Sequence, residues 1–99
     1  MKPIFLELRH LKTLLALKET GSVSLAAKRV YLTQSALSHQ IKLLEDQYGL
    51  PLFERKTQPL HFTPAGERLI QLANEILPKV IEAERDLARV KQGEAGELR

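Results

Sequence analysis

The chain has no cysteine and no tryptophan, and two tyrosines and three phenylalanines are spread over its 99 residues. Without cysteine there is neither a disulfide framework nor a thiolate metal site, so the fold must rest on packing, and residence in the cytoplasm suits such a composition. No apolar run approaches the roughly 18 residues of a membrane span, and Met1–Leu8 lacks the apolar core and cleavage site of a signal peptide. The expectation is a soluble, cytoplasmic protein with no membrane partner. Gly-rich phosphate loops and nucleophile elbows are missing too, and His10, His39 and His61 fall on different predicted elements at no ligand spacing. These gaps exclude most enzymes, and no metal or cofactor is expected in this segment.

What is present is a 43% hydrophobic chain, enough for one modest core. Its net charge of +3 is unevenly placed. Residues 1–62 hold nine Lys/Arg against five Asp/Glu, whereas residues 63–99 hold six against seven. A small basic head suits a polyanion, although a solvated basic face without a partner has the same composition.

The lead-in before Leu8 carries Pro3 and no repeat, and its Phe5 or Leu6 is placed to tuck against the first helix. From Leu8 to Thr20, the residues Leu8, Leu11, Leu14, Leu15 and Leu17 cover a wide helix face, and Gly21 stops the helix. Ser22 and Ser24 then offer two successive N-caps to a short helix in which Ala26 and Ala27 let a neighbouring helix approach closely. The stretch Thr33–Gly49 predicts a longer helix, with Thr33 as its N-cap and Gly49 at its stop. Leu37, Ile41, Leu44 and Tyr48 form its buried stripe. Ser35, Ser38, His39, Lys42 and Asp46 form a second stripe, rich in hydrogen-bonding groups.

A short helix, a tight turn through Tyr31 and Leu32, and a longer helix together have the dimensions of a helix-turn-helix. In that motif the first turns of the second helix enter the major groove of DNA, so polar groups should crowd there. Gln34, Ser35, Ser38 and His39 occupy that place. Glutamine suits the N6 and N7 edge of adenine, histidine can donate to guanine N7 or O6, and the serines permit close approach. Around them Ser22, Ser24, Lys28, Arg29, Thr33 and Lys42 are candidates for phosphate contacts, which add affinity without sequence information.

After Gly49, Pro51 and Pro59 break helix, while Leu52 with Phe53 and Leu60 with Phe62 flank a polar middle. Two short strands and a loop are expected, a wing over residues 54–61 whose tip carries Arg55, Lys56 and Thr57. Arginine on such a wing can enter the minor groove, with Lys56 and Thr57 at phosphates; a solvated turn is the bland reading of the same residues.

Thr63 with Pro64 opens a last helix. Along it Leu69, Ala73, Ile76, Val80, Ala83, Leu87 and Val90 alternate steps of four and three, a heptad seam. A helix of about 27 residues extends roughly 40 Å. It has little of its own head to pack on, so the seam predicts a partner helix, most simply a symmetric copy. Pro78 lies off the seam, where it should kink the rod without ending it. The division expected is a winged helix-turn-helix head over residues 1–62, a dimerisation helix over 63–92, and a glycine-containing linker over 93–99. The fold class is mainly α, three helices and a β-hairpin wing followed by a coiled-coil linker helix.

The run from Gly21 to Leu69 resembles the amino-terminal winged helix-turn-helix of the LysR-type transcriptional regulators. The likeness rests on Ala26 with Ala27, on Gln34 to Ser38, on Leu44 with Glu45, on Gly49, Leu52, Phe53 and Arg55, and on Thr63, Gly66 and Glu67. It implies a bacterial regulator that binds double-stranded DNA as a homodimer or tetramer, on an interrupted palindrome of the form T-N11-A. It also implies that RNA polymerase is a further partner, and that a small-molecule effector binds a domain missing here, beyond the linker. By position Gln34, Ser35, Ser38 and His39 match base contacts of the recognition helix, residues 33–48, and Arg55 matches the wing contact. The family usually has arginine at the place of His39. That histidine and the stretch RKTQPLHFTPAGE are similar to the branch that regulates methionine biosynthesis. A protein-interaction module, with a coiled-coil helix and a basic head for an acidic partner, is the alternative.

Overall fold

The computed structural model describes residues 2–54 and 59–93. Four helices and a two-stranded antiparallel sheet follow in the order α1 (Leu8–Thr20), α2 (Val23–Arg29), α3 (Gln34–Tyr48), β1 (Phe53–Glu54), β2 (His61–Phe62) and α4 (Pro64–Gln92).

Helix α1 starts on an unusual cap. The Glu7 amide donates to Nδ1 of His10 at 2.9 Å, so histidine does the work that Glu or Gln performs in a capping box. The helix ends at Gly21, which adopts φ 68° and donates to the carbonyl of Leu17 at 2.8 Å. Ser22 caps α2 by accepting the Leu25 amide at 3.2 Å. Ser24 is not a second cap, because it lies inside the first turn with its hydroxyl 3.3 Å from that of Ser22.

Between α2 and α3 the chain turns through Tyr31 in the left-handed region, φ 60°. The Tyr31 amide donates to Lys28 and the Leu32 amide to Ala27, so the backbone groups released at the end of α2 are satisfied within the turn. Holding a tyrosine there costs roughly 1–2 kcal/mol. Thr33 then caps α3 by accepting the Ala36 amide at 3.0 Å, and Gly49 closes it at φ 69°.

Leu37, Ile41 and Leu44 of α3 are fully buried with Leu14 and Leu17 of α1 and Ala26 of α2. The two alanines of α2 are enclosed between its neighbours, as their size allows. Tyr48 departs from the predicted stripe: it is 41% exposed and meets Phe5 edge-on, with ring centroids 6.4 Å apart. The wing stem pairs Phe53 with Phe62 and Glu54 with His61. It buries Leu52, Phe53, Leu60 and Phe62 against the core.

Thr63 caps α4 by accepting the Gly66 amide at 3.1 Å, and the helix runs on through Pro78. Its first half packs along α1, burying Ile70 and Ala73, and Lys18 of α1 pairs with Glu67 at 2.7 Å. The expectation that this helix has little of its own head to pack on is therefore corrected. Ala73 is fully enclosed by its own chain, and Leu69 is half-buried against the head's core. Further along, Ile76, Val80 and Val90 are half-buried while Ala83 and Leu87 are exposed, Leu87 by 65%.

Candidate nucleic-acid interface

Because α3 buries Leu37, Ile41 and Leu44, its opposite side faces outward from the first turn. Gln34, Ser35 and His39 are exposed there, Ser38 is half-buried, and Lys42 follows one turn later. Ser35, Ser38, His39 and Lys42 are spaced as neighbours on one helix face. Thr33 is exposed, but its hydroxyl already accepts from Ala36; as a donor it can still reach an external acceptor. The start of α3 also presents its unpaired backbone amides, a favourable place for an anion.

The basic candidates divide. Lys28 is exposed at the end of α2, close in sequence to the turn that leads into α3. Lys42 stands 3.6 Å from Asp46, an exposed (i, i+4) pair of the kind that contributes at most a few tenths of a kcal/mol and yields readily to a phosphate. Arg29 points elsewhere. Its guanidinium bonds Glu19 of α1 at 2.8 Å, and it lines the groove between α1 and α4. Ser22 and Ser24 are half-buried at the start of α2, their hydroxyls 3.3 Å apart, and that of Ser22 also accepts the Leu25 amide. Arg55, Lys56 and Thr57 lie outside the described residues.

The groove beside Arg29 has a volume of about 640 Å³ and a mostly apolar lining that includes Leu15, Leu77, Val80 and Ile81, with Arg9, Lys12 and Glu84 also lining it. It runs along α4 from Ala73 to Glu84.

Two residues of the site region escape sequence reasoning. Glu45 is only 8% exposed although it carries a charge, and its carboxylate accepts the Leu52 amide at 2.7 Å. The Leu52 amide is a backbone group in a loop, which no side-chain periodicity announces. His10, in sequence notable only for lying at no ligand spacing from His39 and His61, is the second. It is 3% exposed, stacked on Phe5 with ring centroids 5.7 Å apart, and burial, aided by Arg9 and opposed by Glu7, holds its imidazole below the usual histidine range.

Among the described residues no helix is long and apolar enough to cross a membrane, and no group of three His, Asp or Glu side chains is placed to hold a metal.

Comparison with known proteins places this arrangement. The chain is 84% identical over 99 residues to the HTH-type transcriptional regulator MetR of Haemophilus influenzae, covering all of this chain and 32% of that protein. It is 55% identical over 78 residues to the MetR regulator of Escherichia coli K12, covering 79% of this chain and 25% of that one. The chain thus spans about a third or less of the length of these relatives, which agree with the methionine-regulator resemblance and are named as transcriptional regulators, not enzymes. Among solved structures, the DNA-binding domain of BenM in complex with its catB site 1 DNA superposes with a TM-score of 0.81 at 35% identity, over 89% of this chain and 98% of that one. Vibrio fischeri DarR, also in complex with DNA, superposes with a TM-score of 0.78 at 29% identity, over 90% of this chain and 30% of that one. The sequence profile of the bacterial regulatory helix-turn-helix proteins of the lysR family matches residues 8–67, and the chain belongs to that family.

Proposed function

We propose that this chain is the sequence-specific DNA-binding domain of a LysR-type transcriptional regulator, with α3 in the major groove of a double-stranded operator. The observation that carries this reading is the face of α3 itself: a helix anchored by Leu37, Ile41 and Leu44 that leaves Gln34, Ser35 and His39 exposed on its first two turns. The DNA complexes of BenM and DarR, both similar in fold to this chain, support it. Gln34, Ser35, Ser38 and His39 read base edges, while Lys28, Thr33 and Lys42 hold phosphates. The family resemblance assigns the wing, residues 54–61, to the adjacent minor groove, with Arg55 as its base contact.

The regulator acts as a homodimer. The half-buried to exposed reach of α4 from Ile76 through Val80, Ala83, Leu87 and Val90 supports a symmetric helix pair, and the apolar groove between α1 and α4 offers it a seat. Two heads related by a two-fold axis fit an inverted repeat with half-sites about one helical turn, roughly 34 Å, apart, in line with the T-N11-A form. A small-molecule effector, RNA polymerase and assembly into tetramers belong to the full-length regulator.

A duplex-DNA shift assay with competitor DNA at several salt concentrations tests the proposal. Preference for one duplex sequence that survives competitor, with affinity falling steeply as salt rises, is expected. Binding to acidic proteins without any preference among duplexes would instead support an interaction module.

A further inference from the structure

Leu52 is where three parts of the head meet. Its amide donates to the buried carboxylate of Glu45, on the last turn of α3, at 2.7 Å. Its carbonyl accepts the amide of Thr63, the cap of α4, at 3.0 Å. The same carbonyl lies so close to Gly66 that an added Cβ would stand 2.0 Å from it, which no side chain tolerates. Thr63 further donates its hydroxyl to the carbonyl of Pro51 at 2.7 Å. The end of α3 and the beginning of α4 are thus bonded to opposite sides of one residue at the foot of the wing. Elsewhere α4 packs mainly on α1, and α3 on α2 and on α1.

We propose that Glu45 is a positioning residue that fixes the direction of the reading helix relative to the dimerisation helix, and so sets the half-site separation a dimer accepts. This rests on the DNA-binding reading above. Each half-site is read by an α3, and the distance between two copies of α3 is set by how each is joined to its α4. A carboxylate buried at that joint gives a strong, directional hydrogen bond that a solvated one would not. If the Glu45–Leu52 bond is lost, α3 keeps its base-reading side chains but gains freedom to pivot about the joint. Preference for the base pairs within a half-site is then retained while preference for their spacing is relaxed.

The test measures binding of the chain to duplexes carrying two half-sites whose separation is varied one base pair at a time. Moving a half-site by two base pairs turns it by about 70° around the duplex, and the wild-type chain should lose on the order of ten-fold or more in affinity. For Glu45→Ala the same displacement should cost no more than about three-fold, with the selected half-site sequence unchanged. Glu45→Asp, which keeps the charge but withdraws the acceptor by one methylene, should show the same broadening, and Glu45→Gln, which retains an acceptor at the same reach, should restore the wild-type profile. Folding is followed by helical circular dichroism, so that Glu45→Asp decides the matter should Glu45→Ala unfold. Sharp spacing in wild type together with equally sharp spacing in folded Glu45→Asp would overturn the joint and leave the DNA-binding reading intact. A wild-type chain with no spacing preference would overturn the dimeric site and the joint with it.

Discussion

The amide of Glu7 donates to Nδ1 of His10 across 2.9 Å, so the first helix is capped by a buried imidazole that must be neutral to accept. Burial lowers the pKa of His10 below its ordinary 6.5, and Arg9 adds to this while Glu7 opposes it. The unfolded chain therefore binds a proton more readily than the folded one, and the associated stability is present above the unfolded pKa and is lost as pH falls through the folded one. The unfolding midpoint should drop between pH 7.5 and the acid side of 6.5. His10→Gln keeps an acceptor at the same capping position without a titrating ring, and its midpoint should vary less over that range. Thermal unfolding of both proteins across the series checks this.

Core packing gives a second expectation. Leu37 is fully buried at the start of the anchoring stripe of α3. Leu37→Ala should lower stability by about 2–5 kcal/mol, measured by chemical denaturation, and a loss under 1 kcal/mol would mean that the stripe does not anchor the helix.

Self-association can be tested without touching the head. Leu87 is 65% exposed, so Leu87→Asp should leave helix content and unfolding of the head unchanged. On a paired seam, a buried charge costs several kcal/mol, and the dimer should weaken by at least about ten-fold in sedimentation equilibrium. An unaltered association constant would remove Leu87 from the interface.

Phosphate contacts are separable by salt. Lys28→Gln or Lys42→Gln should weaken all duplexes alike and reduce the slope of log affinity against log salt by about one. Arg29→Gln should leave the slope nearly unchanged, because Arg29 is drawn to Glu19 beside the α1–α4 groove. A full unit of slope lost in Arg29→Gln would return that residue to the DNA surface.

Much of this architecture is legible in the sequence because its signals are local. Thr33, Gly21, Gly49 and the Leu37, Ile41, Leu44 stripe each act within a few residues of where they stand, and caps and periodicity are read at that range. The wing stem is legible for the same reason, from apolar pairs on either side of a polar stretch. What escapes depends on distant partners. Ala73 fits a heptad seam as well as it fits the groove beside α1, and only the fold shows that α1 has taken it. Glu45 looks like a solvated charge until the amide of Leu52 arrives beneath it. Arg29 is one residue from Lys28, yet a 100° step around a seven-residue helix turns it toward Glu19.

The central claim is that the exposed face of α3 reads bases, and His39 tests it most directly. It is exposed on the same stripe as Ser35 and Ser38, away from the Leu37, Ile41, Leu44 anchor, so its replacement should not disturb the fold. The measurement is a selection of bound duplexes from a random pool, run in parallel with wild type, His39→Ala and His39→Arg. His39→Ala should lose about 1–3 kcal/mol on the preferred site and relax one base pair per half-site. His39→Arg should sharpen or shift that same base pair toward guanine, because its planar fork fits O6 and N7 together. Identical preference profiles for all three proteins would contradict the account, leaving His39 a solvated residue and the face of α3 without its reading role.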